Sequence, residues 1–140
     1  MTTAIDTNVI VGLWDRDRGL SSAAQSALDA APEGGGLIIS APVFAELMAC
    51  PGRTEDFLQS FFEDTGIAVD WKLDETRWRA AGRAFQAYAG RRKRHGDSST
   101  LRILADFVIG AHAQQGGYQL LTLDDRLYSA AFPNLTVVAI

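Results

Sequence analysis

TTAIDTNVIVGLW, residues 2–14, is an apolar run that stops on a carboxylate, Asp6, and resumes near Asn8 with helical spacing. Its first part, TTAID (2–6), has four counterparts: GLIIS (36–40), GIAVD (66–70), YQLLTL (118–123) and LTVVAI (135–140). The first four of these five β-rich runs end in or just before a polar residue, and longer stretches with helical spacing lie between them. Ser40 followed by Pro42 opens APVFAELMAC, Thr54 with Glu55 opens EDFLQSFFED, and Ser98 to Thr100 open LRILADFVIGAHAQ. Over residues 74–90 the spacing puts Trp78, Ala81, Phe85 and Tyr88 on one helix face. Strands that alternate with helices, and read as continuous Ile, Val and Leu, predict a mainly parallel sheet of about five strands covered on both faces, a three-layer α/β/α fold. Ligands of such open sheets gather beyond the carboxyl ends of the strands, where Asp6, Ser40, Asp70, Thr122 and Asp124 all fall.

At 140 residues, 47% hydrophobic and 21% charged, with no internal repeat, low-complexity tract or linker, the chain reads as a single domain over residues 1–140. Cys50 is the one cysteine, which excludes a disulfide framework and a zinc site built on several thiolates; a reducing, cytoplasmic location is expected. The N-terminus lacks a basic segment and meets Asp6 and Asp15 early, and no apolar run approaches about 18 residues, so neither a signal peptide nor a membrane span is expected. Net charge is −4, but residues 71–105 hold nine basic side chains against three acidic ones, or +6, which leaves −10 on the remainder. A basic tract on an acidic body allows a polyanion on one side and a cation or basic partner on the other. The densest part is GRRKRHGD (90–97), with Arg91, Arg92, Lys93 and Arg94, read as a loop between two helices. It is either a solvated loop or a phosphate contact beside the helix that carries Asp106.

Three carboxylates stand in apolar company. Asp6 closes a strand, Glu46 is the only charged residue from Ala41 to Cys50, and Arg102 and Asp106 are the only ones from Leu101 to Gln115. An ionised carboxylate removed from water is costly unless something positive compensates it. Private partners are the plain explanation: Arg102 with Asp106 one helical turn apart, or Asp6 as a helix cap. Yet no Lys or Arg lies within nine residues of Asp6, and Glu46 is seven from Arg53. A hard divalent cation, Mg²⁺ or Mn²⁺, compensates all of them together and prefers oxygen ligands. Asp124 and Asp125 follow the fourth strand run; the nearer, Asp124, is assigned to the same cluster and Asp125 to the cap of the next helix. His112, on a nearly all-apolar helix, is read as a packed residue, Cys50 as inert, and Phe57, Phe61 and Phe62 as a core face.

In this order the four acids resemble the acidic constellation of the PIN domain, a nuclease fold similar to the flap-endonuclease core. IDTNVIV matches the family's opening and carries over Asp6, with Thr7 and Asn8 in support, while APVFAEL carries over Glu46. LRILADFVIGAHA is similar to the form in VapC-type toxins and carries over Asp106, and LLTLDDRLY carries over Thr122 and Asp124. The resemblance implies a metal-dependent endoribonuclease, the toxin of a type II toxin–antitoxin pair. Asp6, Glu46, Asp106 and Asp124 would hold one or two Mg²⁺ or Mn²⁺ that activate a water, with Asn8 and Thr122 as supporting hydrogen-bonding groups. It also implies an RNA substrate, a cognate antitoxin and a homodimer; on the charge run alone, Arg91, Arg92, Lys93 and Arg94 are the candidate contacts to the RNA phosphates. Thr7 is equally well an ordinary helix start. Two other readings stand beside this one. The first is a PIN fold used purely for binding; the second is a receiver-type signalling domain, which needs an acidic pair at the first strand and a lysine after the fifth, where this chain offers Asp6 alone and no lysine beyond Lys93.

Overall fold

Five parallel strands form one sheet in the order β3-β2-β1-β4-β5 in the computed structural model, which describes residues 1–31, 35–95 and 103–140. The chain runs β1 (Thr3–Ile5), α1 (Thr7–Leu13), α2 (Arg18–Asp29), β2 (Leu37–Ser40), α3 (Ala41–Met48), α4 (Glu55–Thr65), β3 (Ala68–Asp70) and α5 (Glu75–His95). It then continues through α6 (Leu104–Gly116), β4 (Gln119–Thr122), α7 (Asp125–Ala131) and β5 (Val137–Ala139). Each strand coincides with one of the five β-rich runs, trimmed by a residue or more at its ends. From β1 the chain winds outward through β2 to β3, then returns to β4 on the other side of β1. The order therefore reverses between β1 and β4, and the crevice beyond their carboxyl ends is where such sheets take ligands. A receiver-type sheet has the order 2-1-3-4-5, so the topology removes that reading.

The sheet strands bury Ile5, Ile39 and Leu120 against Val9, Ile10, Val43, Leu47 and Leu58 from the helices. Residues 107–113 of α6 are buried without a break, and the ring of Phe107 stacks on Phe85 of α5 at 4.7 Å between centroids. A helix enclosed all round shows no apolar stripe, which is why its sequence is apolar almost throughout. Gly117, with φ 70°, ends it in the left-handed conformation that favours glycine.

Of the expected caps, Ser40 stands at the N-cap of α3 ahead of Pro42, but its side chain makes no capping bond. Thr54 acts as the sequence suggests, its hydroxyl accepting a 3.1 Å hydrogen bond from the Phe57 amide at the start of α4. Thr54→Ala removes that cap and is expected to lower stability by about 1 kcal/mol, read as a lower melting temperature with the fold retained.

Elsewhere the structure corrects the sequence reading. On α5 the expected face holds at Ala81, which is buried, and at Phe85 and Tyr88, which pack half-buried on Phe107 of α6, but Trp78 is exposed, and Ala80 and Ala84 are buried in addition. That helix also continues through His95, so Arg91, Arg92, Lys93 and Arg94 stand on its last turns rather than in a loop. Arg and Lys are good helix formers, and their charge suits the negative end of the helix. On α4 Phe62 is buried and Phe61 half-buried, but Phe57 reaches solvent, where Arg53 lies 4.5 Å over its ring and equally over Trp14. Ser98 to Thr100 and Arg102 lie outside the described residues, so α6 is described from Ile103 at its N-cap position. Among the described residues no helix is long and apolar enough to cross a membrane.

Candidate active site

Asp6 follows β1 directly and occupies the N-cap position of α1, yet its carboxylate makes no capping bond. Its Oδ2 instead accepts a 2.7 Å hydrogen bond from the Thr122 hydroxyl, at the end of β4 on the far side of the crevice. Thr122 Oγ1 in turn accepts from the Asp124 amide at 2.9 Å, so one buried hydroxyl joins both acid-bearing loops. The capping explanation for Asp6 thus gives way to a bond across the switch point.

Asp6 is 5% exposed, and burial, with the charge of Asp106 adding to it, raises its carboxyl to about 6 against the opposing bond from Thr122. Glu46 and Asp106 are half-buried rather than removed from water, because both face the crevice from the edges of α3 and α6. Glu46 Oε1 accepts from Thr7 Oγ1 at 2.7 Å, a tie across 39 residues. Thr7 is therefore more than a helix start: it fixes one carboxylate of the set. Asn8 acts otherwise than expected, since its Oδ1 accepts from the Leu123 amide at 3.1 Å and secures the backbone after β4 rather than a carboxylate. The cap assignments also change. Asp124, not Asp125, stands at the N-cap of α7 without a side-chain capping bond, and Asp125 lies in the first helical turn.

Tyr128 was not singled out in the sequence. It is 1% exposed, and the charges of Asp6, Asp106 and Glu46 all bear on its hydroxyl, which burial first of all pushes far above the ordinary phenol range. That hydroxyl lies near enough to Asp6 to help hold its charge, but meets no partner in hydrogen-bond geometry among the described residues. The signal was its place four residues after Asp124, one helical turn into the crevice.

Do these side chains fit a divalent cation? Among the described residues no three His, Cys, Asp or Glu side chains stand close enough to enclose one. Mg²⁺ keeps several waters and commonly takes only one or two protein carboxylates, with substrate phosphate oxygens completing the set. The donors are all oxygens, and the raised carboxyl of Asp6 beside Asp106 marks a concentration of negative charge that a cation relieves. The donor chemistry fits a hard cation.

A second polar pair lies away from this crevice. His112, 1% exposed, places Nε2 3.0 Å from Asp70 Oδ2 at the end of β3. Burial lowers the His112 imidazole, and Asp70 only partly restores it. The packed reading of His112 holds, with a partner 42 residues away that spacing could not reveal.

A family model described as PIN domain matches residues 3–133. Among solved structures the fold is similar to VapBC2 from Rickettsia felis bound to a DNA fragment from its promoter, at 16% identity and a TM-score of 0.64, covering 99% of this chain and 98% of that one. VapBC-1 from nontypeable Haemophilus influenzae is similar at 18% identity and 0.66, with the same coverage. FitAcB from Neisseria gonorrhoeae is similar at 22% and 0.64, covering 97% and 96%. No curated protein sequence matches the chain.

Proposed function

Since the chain belongs to the PIN domain family, we propose that it is a metal-dependent endoribonuclease and the toxin of a type II toxin–antitoxin pair. The observation that carries the reading is Asp6, a buried carboxylate with a raised pKa at the strand-order reversal, beside Asp106 and tied to Thr122. Asp6, Glu46, Asp106 and Asp124 would hold Mg²⁺ or Mn²⁺, which supplies a Lewis acid for phosphodiester hydrolysis. Thr122 and Thr7 each donate to one carboxylate and fix its orientation, and Asn8 holds the loop that carries Asp124. The toxin assignment is supported by a solved structure of similar fold described as a toxin–antitoxin complex from Klebsiella pneumoniae. A cognate antitoxin, a homodimeric state and a cytoplasmic location belong to the same reading. A PIN fold used only for binding is the rival reading, and a titration that finds no saturable Mn²⁺ binding would favour it.

Arg91, Arg92, Lys93 and Arg94, along the end of α5, supply the phosphate contacts in this reading. Purified protein with Mn²⁺ is expected to cut RNA, and neutralising these four residues together is expected to weaken RNA binding alike across sequences and to flatten its salt dependence. Absence of Mn²⁺-dependent cleavage overturns the nuclease; an unchanged salt slope removes only the α5 contacts.

A further inference from the structure

A tyrosine that serves only as packing loses nothing by becoming phenylalanine, whereas a buried hydroxyl without a partner costs the fold free energy. Tyr128 carries that cost: its ring is among the largest fully buried side chains, and its Oη has no hydrogen-bond partner among the described residues. Among the described residues Ser40 Oγ and Arg77 Nε share this condition, and the Tyr128 hydroxyl sits where the charges of Asp6, Glu46 and Asp106 converge. Its position is set firmly, since α7 is held between the β4 end, where Asp124 is tied to Thr122, and β5. Asp6 already receives one hydroxyl proton, from Thr122 on Oδ2. A carboxylate that must present one face to a cation needs a second fixed donor to hold its plane.

We propose that Tyr128 is a positioning residue of the acidic crevice, its buried hydroxyl donating to the Asp6 carboxylate when Asp6 holds a divalent cation. The hydroxyl lies close enough to Asp6 to bear on its charge but outside hydrogen-bond geometry, so a small turn of the carboxylate completes the bond. The proposal rests on the metal-dependent reading above, and adds to it a residue that touches neither substrate nor cation. Tyr128→Phe removes one oxygen and leaves the ring.

Titration of Mn²⁺ into the purified chain, followed calorimetrically, is expected to give a dissociation constant about tenfold weaker for Tyr128→Phe than for wild type. Without metal the variant is expected to melt at the wild-type temperature or above it. Equal affinity in the two proteins overturns the proposal while leaving the nuclease reading intact; no saturable binding by wild type overturns both. A metal-free variant that melts well below wild type also overturns it, because the hydroxyl is then serving the fold. Wild-type protein with tyrosines labelled at Cζ provides a check that needs no Tyr128 variant. Diamagnetic Mg²⁺ is expected to shift the Tyr128 resonance and leave those of Tyr88 and Tyr118, identified through their phenylalanine variants, in place. A Tyr128 signal that does not move overturns the proposal.

Discussion

Asp6→Asn is expected to abolish Mn²⁺-dependent cleavage and, in metal-free protein at pH 8, to raise the melting temperature by several degrees. The two effects have one origin. The carboxyl of Asp6 is raised from 3.8 to about 6 in the folded chain, so between those values the native state holds a proton that the unfolded state has lost. The unfolded state binds fewer protons there, and stability falls as pH rises through the interval. A two-unit shift corresponds to roughly 3 kcal/mol, contributed in full below about pH 4 and gone above about pH 6. The asparagine carries no charge at any pH and escapes the loss. Melting curves of metal-free wild type at pH 5 and pH 8 should therefore differ in favour of pH 5, with the difference reduced in Asp6→Asn. Divalent metal binds the ionised native cluster and should restore wild type at pH 8, by about 2.7 kcal/mol at a hundredfold excess over its dissociation constant. A metal-free Asp6→Asn that melts lower than wild type at pH 8 would mean that the Thr122 bond outweighs burial, and that Asp6 stabilises the fold as a carboxylate.

Gly110→Ala is expected to lower stability by about 1–3 kcal/mol, against the usual helix preference for alanine over glycine. Gly110 lies within the buried length of α6, and a Cβ there would overlap the ring of Phe132, itself 3% exposed just after α7. Neither partner has room to yield, since the ring is enclosed and the helix backbone is continuous. Gly82 on the exposed side of α5 is the control, because nothing lies within 4 Å of a Cβ built there. Gly82→Ala should stabilise by up to about 1 kcal/mol. Chemical denaturation of the two variants should give shifts of opposite sign; two shifts of the same sign would show that the α6–Phe132 contact relaxes freely.

The strands were legible because a buried parallel strand needs continuous apolar residues, and the chain has five such runs. Their order was not written in them, yet it is the order that brings Asp6 against Thr122. Hydrogen bonds such as Thr7 to Glu46 and His112 to Asp70 join residues about forty apart, and no local pattern encodes them. Helix α6 was readable as a helix, but which side faces the core was not, since enclosure on all sides erases the polar face. The end of α5 was misjudged for a related reason: a cluster of positive charges reads as solvated, and both a loop and a helix terminus are solvated. Tyr128 was passed over altogether, because a hydroxyl's significance depends on its neighbours in space.

The two outermost strands, β3 and β5, are three residues long. A strand that short offers an incoming chain only one or two main-chain hydrogen bonds before the sheet ends, so neither border templates further growth of the sheet. A protein partner of the kind proposed above would have little to gain by adding a strand of its own, and would be recognised by side chains rather than by the sheet edge. Side-chain recognition of that kind can diverge without disturbing the acidic crevice between β1 and β4.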